Sequence, residues 1–124
     1  MTLIDIEVEG TFLQAEIFDT PTGRAILAAL PLEGAANIWG DEIYFDIPVT
    51  LDQEPDARED VAVGDLGYWP MGSAFCIFFG PTPVSQGNAP RAYSPVNVFG
   101  RILGDPQVLK AVSDGAQVRV ERAE

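Results

Sequence analysis

Histidine is absent from this sequence of 124 residues, and cysteine occurs once, as Cys76. Without histidine, the chain cannot build a Ser-His-Asp or Cys-His catalytic group, or a metal site with imidazole ligands. A single cysteine excludes intrachain disulfides and zinc sites built from several thiolates. Cys76 lies in an apolar run with no basic neighbour to activate it, so we expect a buried and inert thiol.

Basic residues are also scarce, since 7 Lys and Arg stand against 19 Asp and Glu, which gives a net charge of −12. This balance argues against a nucleic-acid partner, which a basic patch would bind. The whole excess lies in residues 1–62, which hold 14 acidic and 2 basic residues. The simpler interpretation is a solvated acidic face, and the alternative is a surface that attracts cationic ligands or partners.

Long apolar runs are missing as well, because none approaches the ~18 residues that span a bilayer. The first residues include Asp5 and Glu7, where a secretory signal would carry Lys or Arg. With no disulfide framework and no membrane segment, we expect a cytoplasmic protein without a membrane partner.

The length fits one domain, residues 1–124, because either half alone would bury too small a core. The 12 glycines and 10 prolines indicate frequent turns. Alternating apolar and polar residues predict strands at both ends of the chain, and a continuous apolar run predicts a buried strand. The predicted strands cover residues 4–8, 13–17, 41–45, 73–79, 96–103 and 116–121, with short helices from Pro21 and Pro106, a turn at 64–67 and loops at 51–60 and 81–95.

Several short strands with two short helices predict a mainly β fold that closes into a barrel. Closure pairs the edge strands, which would otherwise promote aggregation. Because the first and last strands are both amphipathic, we expect them to pair with each other and to close the sheet.

Motifs in the second half of the chain resemble the cyclophilins, which are peptidyl-prolyl isomerases. The run Val98-Phe99-Gly100-Arg101-Ile102 resembles their VFGKV segment, and Gly72-Ser73-Ala74-Phe75-Cys76-Ile77 resembles their GSQFFI strand. A closer similarity is to small bacterial and archaeal cyclophilin-like proteins of unassigned function. Their hallmarks resemble residues 39–45, 64–70, 78–83 and 96–98 of this chain. The resemblance implies a closed cyclophilin-like β-barrel.

The residues that carry out isomerisation in cyclophilins are not matched here. Their arginine lies in a strand that corresponds to the one with Glu42, while their groove histidine aligns with Val96 and their pocket phenylalanine with Cys76. A carboxylate cannot donate the hydrogen bonds that a guanidinium donates. We therefore expect a binding module without the standard isomerase arginine. The alternative is a peptidyl-prolyl isomerase with a non-standard site, in which Arg91 or Arg101 substitutes.

The binding hypothesis places a small molecule or an extended peptide in an aromatic cleft. Its candidate residues are Trp39, Glu42, Tyr44, Trp69, Phe78 and Asn97. The aromatic residues have a second interpretation as core, and Asn97 either bonds the backbone or faces a ligand. A third hypothesis is a different enzyme on the same barrel, with Glu42 and Asp65 as acid and base.

No cofactor and no metal site are predicted. Asp52-x-Glu54-x-Asp56 has the spacing that opens a calcium loop, but Ala57 stands where that loop needs glycine, and Val63 where it needs glutamate. The glycines at 64, 67 and 72 precede no predicted helix, so they do not form a nucleotide-binding fingerprint. The sequence assigns no catalytic residue and no oligomeric state.

Overall fold

The computed structural model describes residues 2–123, so residues 1 and 124 of the predicted domain lie outside it. It shows a mainly β fold, as predicted, built on one large antiparallel sheet with two short helices. The strands are β1 (Thr2–Val8), β2 (Thr11–Ile17), β3 (Leu32–Ala35), β4 (Asn37–Ile38), β5 (Glu42–Asp46), β6 (Arg58–Asp60), β7 (Asp65–Trp69), β8 (Ala74–Phe78), β9 (Arg91–Leu103) and β10 (Gln117–Arg122). The helices are α1 (Pro21–Ala29) and a 3₁₀ helix (Pro106–Ala111). Neither helix in this range is long and apolar enough to cross a bilayer.

The strands follow the order β3-β10-β1-β2-β9-β7-β8-β5-β4 across the sheet, and β6 pairs with β9 beside this path. The first and last strands pair as predicted, with Ile6 opposite Val120. Their pairing lies inside the sheet, however, because its two ends within residues 2–123 are β3 and β4. Pairing of the first and last strands therefore does not itself close the sheet into the predicted barrel.

The main core lies on one face of the sheet. Ile4, Ile6 and Val8 of β1 are buried, while the residues between them are half-buried. The alternation that predicts a strand therefore also sets which side of it faces the core. Helix α1 begins at Pro21, where Thr20 caps it by accepting a hydrogen bond from the backbone N–H of Gly23, and its Ile26 joins the same core.

Several segments differ from the prediction. Residues 64–67, predicted as a turn, contain the start of β7, and Gly67 suits that strand because a Cβ there would lie 2.9 Å from the Val96 side chain. The loop predicted for 81–95 ends earlier, since Arg91 opens the long strand β9. The sequence does not predict the short strands β3 and β6, which have too few residues to show an alternating pattern.

A second and smaller apolar cluster lies on the opposite face of β5, β7, β8 and β9. Strand β8 shows the division clearly, because Phe75 and Ile77 belong to the main core and Ala74, Cys76 and Phe78 belong to the second cluster. All five residues are buried, which explains why this stretch is continuously apolar. The surface beside the second cluster holds the candidate site.

Candidate functional site

A pocket of about 340 Å³ opens beside the second apolar cluster, and we call it the aromatic pocket. Its volume falls within the usual range of small-molecule sites. The lining residues are Trp39, Glu42, Tyr44, Trp69, Cys76, Ala92, Tyr93 and Val96. Four of the six candidates named from the sequence, Trp39, Glu42, Tyr44 and Trp69, therefore meet in one place.

A tight hairpin turn between β4 and β5 brings Trp39 and Glu42 together. The Trp39 N–H donates to the Glu42 carbonyl at 2.9 Å, and the Glu42 N–H donates to the Trp39 carbonyl at 3.1 Å. Only Gly40 and Asp41 separate them, and Gly40 has a φ of 60°, which favours glycine at the first central position of such turns. Residues paired in this way point to the same face, so the indole and the carboxyl enter one pocket.

Strand pairing places the next two side chains of the wall. Tyr44 lies two residues after Glu42 and therefore on the same face of β5. Its partner across the β5–β8 ladder is Cys76. The phenol, the carboxyl and the thiol consequently form one continuous part of the wall.

Trp69 is held in the wall of the pocket by its neighbours. Its Nε1–H donates to Ser94 Oγ at 2.5 Å. Its ring lies over Gly72, where a Cβ would be only 2.5 Å from two ring carbons. Glycine at position 72 is therefore what allows the indole to lie this close to the backbone.

The aromatic rings contact one another edge to face. The ring centres of Trp39 and Tyr93 are 6.1 Å apart with planes at 75°, and those of Trp69 and Tyr93 are 6.1 Å apart at 84°. Tyr44 and Trp69 follow at 6.5 Å and 74°. Such contacts stabilise the relative positions of the rings. Tyr93 links the two tryptophans while remaining 66% exposed, so it lies on the solvent side of the pocket.

Glu42 is the polar feature of this pocket. Within residues 2–123, its Oε1 is the only buried side-chain oxygen or nitrogen without a hydrogen-bond partner, and the residue is 5% exposed. Burial raises the pKa of Glu42 to about 7, and the adjacent Cys76 thiol offsets a part of this rise by hydrogen bonding. The hydrogen bond of the thiol with a defined geometry goes to the Ala74 carbonyl at 3.9 Å, and no hydrogen bond reaches Oε1.

Cys76 is buried, as predicted. Burial raises the pKa of the Cys76 thiol well above its usual range, and the nearby charge and hydrogen bond of Glu42 raise it further. Because the thiolate is the nucleophilic form, the thiol acts as part of the wall and not as a nucleophile.

Asn97 does not line the pocket, although it follows the lining residue Val96 in β9. Its Oδ1 accepts a hydrogen bond from the Glu54 N–H at 2.8 Å, and its Nδ2 donates to Thr22 Oγ1 and to the Asp52 carbonyl, both at 3.0 Å. These partners satisfy the buried amide inside the protein. Of its two interpretations, the structure supports the one in which Asn97 bonds the surrounding chain.

Phe78 also lies outside the wall of the pocket. It is fully buried in the second apolar cluster, and a Cβ on Gly67 would lie 3.2 Å from its ring. Its partner in the β5–β8 ladder is Glu42. Phe78 is therefore buried beside Glu42 in the second apolar cluster, which corresponds to its interpretation as core.

Neither arginine considered as a substitute for the isomerase arginine lines the pocket. Arg91 forms an ion pair with Glu59 at 3.1 Å, and Arg101 forms one with Glu16 at 3.2 Å. Among the residues that the structure describes, the wall contains no arginine and no lysine. The pocket therefore lacks the electrophile that a cyclophilin places beside a prolyl nitrogen.

Asp65 does not join Glu42 as a second acid. It is not a lining residue, and its Oδ2 accepts a hydrogen bond from the Ala62 N–H at 2.9 Å. Strand β8 separates its strand from that of Glu42, a distance of about 10 Å between backbones. Nowhere in residues 2–123 do three His, Cys, Asp or Glu side chains gather as metal ligands would.

Four lining residues are absent from the sequence candidates: Cys76, Ala92, Tyr93 and Val96. The cyclophilin resemblance carried a signal for two of them, because Cys76 and Val96 align with the pocket phenylalanine and the groove histidine. Ala92 and Tyr93 had no such signal. They lie between Pro90 and Pro95, and prolines at this spacing predict a loop where the structure has the start of β9.

Comparisons with known proteins match nearly the whole chain. A family model described as Cyclophilin-like matches residues 2–121. Among solved structures, the solution structure of the hypothetical protein AF2241 from Archaeoglobus fulgidus is similar, with 42% sequence identity and a TM-score of 0.83. The alignment covers 98% of this chain and 95% of that one. No curated protein matches the chain.

Proposed function

The chain belongs to the cyclophilin-like family, and from this premise we propose that it is a binding protein without the standard isomerase chemistry. The aromatic pocket holds a small molecule or a short stretch of an extended peptide. The acidic charge and the scarcity of cysteine support a protein that acts in the cytoplasm, without a nucleic-acid or membrane partner and without a cofactor.

The observation that carries this proposal is the unpartnered Oε1 of Glu42 in a pocket walled by aromatic rings. Leaving a buried polar atom without a partner costs roughly 1–3 kcal/mol, so nearly all such atoms in folded proteins are bonded. A ligand in the pocket would supply the missing partner. Apolar walls with one convergent polar group are also the usual composition of a small-molecule site.

We further propose that the sheet curls into the cyclophilin-like barrel. Its end strands, β3 and β4, are joined by the single residue Ala36. A Cβ on Gly34 of β3 would lie 2.8 Å from the ring of Phe45 in β5, so the two ends of the sheet are close in space. Curling in this sense puts the main core inside the barrel and the aromatic pocket on its outer surface.

The alternative, a peptidyl-prolyl isomerase, has less support. Twisting the prolyl bond meets a barrier of about 18–20 kcal/mol, and a donor near the prolyl nitrogen lowers it. Arg91 and Arg101 are paired with carboxylates outside the pocket. In a protease-coupled assay on a proline peptide we expect background turnover. Activity that disappears in Arg91→Ala or Arg101→Ala would establish the isomerase instead.

Intrinsic fluorescence offers a direct test, because both tryptophans of the chain line the pocket. A collection of small molecules and proline-containing peptides is screened for changes in this fluorescence. We expect the hits to bind Tyr93→Ala about tenfold more weakly or worse, since Tyr93 contacts both tryptophans.

The matched control for this screen is Phe12→Ala. Phe12 is an exposed aromatic residue in a different surface hollow of the protein, so its removal should leave the binding of the hits unchanged. If the hits bind the parent and Tyr93→Ala with equal affinity, the aromatic pocket is not their binding site.

A further inference from the structure

Resting on this proposed function, we propose that the aromatic pocket recognises a methylated ammonium group, held by the faces of its aromatic rings and by the carboxylate of Glu42. Such a group combines a positive charge with an apolar surface. The pocket offers the complement of both properties in one space of about 340 Å³.

The aromatic rings supply the first half of the argument. Trp39, Trp69 and Tyr93 belong to the residue types whose ring faces attract cations, with tryptophan the strongest of them. Both tryptophans contact Tyr93 with planes at 75° and 84°, so the rings surround the space from different directions. Rings arranged in this manner are the general means by which proteins bind quaternary ammonium ions.

Glu42 supplies the second half. Its Oε1 is buried without a partner, and a buried carboxylate is stabilised by a nearby positive charge. No lysine or arginine among residues 2–123 lines the pocket and takes that role. The place of the counter-ion is thus open to a cation from outside the chain.

The charges also argue against the other ligand classes. An anionic ligand would meet the Glu42 carboxylate and the field of a protein with a net charge of −12, which repels anions and attracts cations. A purely apolar ligand would bury the rings but leave the buried Glu42 carboxylate without a counter-charge. A methylated ammonium meets both requirements, because its methyl groups pack on the rings while its charge pairs with the carboxylate.

The test compares choline with dimethylbutanol, an uncharged isostere in which carbon replaces the ammonium nitrogen. Binding to the full chain is measured by calorimetry at mildly alkaline pH, where Glu42 is ionised. We expect choline to bind at least about tenfold more tightly than the isostere. We also expect this advantage to disappear in Glu42→Gln, whose side chain has nearly the same shape without the charge.

Two results would overturn the inference. If the isostere binds as tightly as choline, the pocket selects apolar shape and not charge, and the proposed binding function stands without the cation. If neither choline nor a peptide with one trimethyl-lysine binds, the ammonium inference fails by itself, because the fluorescence screen with Tyr93→Ala decides the proposed function separately.

A further arm identifies the source of the ammonium group. A peptide with one trimethyl-lysine is compared with choline and with the same peptide carrying ordinary lysine. Tighter binding of the trimethylated peptide assigns the pocket to a modified side chain, and tighter binding of choline assigns it to a free small molecule. Equal binding of the two peptides would contradict the requirement for methylation. Phe12→Ala should behave as the parent in every arm.

Discussion

Two buried polar side chains, Asn97 in β9 and Glu42 in β5, are surrounded in opposite ways. Asn97 makes three hydrogen bonds to Thr22, Asp52 and Glu54, which together with it we call the Asn97 cluster. Glu42 is nearly as deeply buried, yet its Oε1 bonds nothing within the described residues. The first region completes its own hydrogen bonding, whereas the second leaves a place for a partner. Burial of a polar group therefore indicates function only when the protein fails to satisfy it.

The Asn97 cluster shows what a completed region achieves. Tyr68, which lies opposite Asn97 in the β7–β9 ladder, donates its hydroxyl to the Val49 carbonyl at 2.6 Å and accepts from the Leu51 N–H at 3.1 Å. The Glu54 carboxylate accepts from the Thr22 N–H at 3.1 Å, in the first turn of α1. Tyr68 and Asn97, which are paired across two strands, thus attach the irregular segment 49–54 and helix α1 to the sheet.

Removing the Asn97 side chain should cause the largest loss of stability among these variants. Asn97→Ala leaves the Glu54 N–H, the Thr22 hydroxyl and the Asp52 carbonyl without this partner and creates a small cavity. We expect a loss of about 3 to 4 kcal/mol in the free energy of unfolding, measured with denaturant. The control is Asn37→Ala, which removes an exposed bond to the Tyr44 carbonyl and should cost less than about 1 kcal/mol. Equal losses in the two variants would contradict a structural role for Asn97.

The next prediction concerns the pH dependence that Glu42 gives to stability. Because its pKa is about 7 when folded and 4.5 ordinarily, the folded protein holds this proton more tightly than the unfolded chain. The resulting stability is fully present below about pH 4.5 and is lost as the pH rises through about 7. The loss is at most about 3 kcal/mol. The Glu42→Gln side chain remains neutral at every pH, so this variant should not show the loss of stability.

Denaturant unfolding at several pH values measures this difference. Between pH 4.5 and 7, the stability of Glu42→Gln should increase relative to that of the parent. Burial raises the pKa of the Cys76 thiol, which lies beside Glu42 in the wall, well above its usual range, so the thiol adds no proton exchange between these pH values. Asp46→Asn is the control, since Asp46 is an exposed carboxylate on the same strand. If the stability of Glu42→Gln and that of the parent change in parallel with pH, Glu42 does not have a raised pKa in the folded protein.

A smaller effect should follow from crowding the wall of the pocket. In Gly72→Ala the new Cβ would lie 2.5 Å from the Trp69 ring, so the ring must move and its bond to Ser94 is disturbed. We expect a loss of about 2 kcal/mol and a changed fluorescence spectrum. Gly87→Ala is the control, because nothing lies within 4 Å of a Cβ there. An unchanged spectrum in Gly72→Ala would contradict the position of Trp69.

The smallest change in stability should come from Tyr93→Ala. Tyr93 is largely exposed but contacts both indole rings, so we expect a loss of about 1 kcal/mol in the free energy of unfolding, while the affinity for the hits of the fluorescence screen falls about tenfold. This separation of binding from stability sharpens the contrast with Asn97. A loss of stability as large as that of Asn97→Ala would instead place Tyr93 among the structural residues.

The sequence predicts much of the scaffold and a part of the site. Alternation identifies β1, β2 and β10, and the resemblance to cyclophilin-like proteins marks Trp39, Glu42 and Trp69. The role of Asn97 is not predictable from its neighbours, since its partners Thr22 and Glu54 are 75 and 43 positions away and meet it only after folding. In β8 both faces are buried, so no alternation shows that Cys76 faces the pocket and Ile77 the core.

The hairpin that joins Trp39 to Glu42 restricts how this protein can evolve. One codon inserted between them would shift the register of β5 and exchange its two faces, so that Ile43 would turn outward and Tyr44 inward. The molecule would lose the arrangement of the aromatic pocket and its core packing in a single step. Segment 83–89, where Gly87 borders open space, carries no such restriction. Descendants of this gene should therefore vary in length at that segment and alter the aromatic pocket only by substitution around the hairpin.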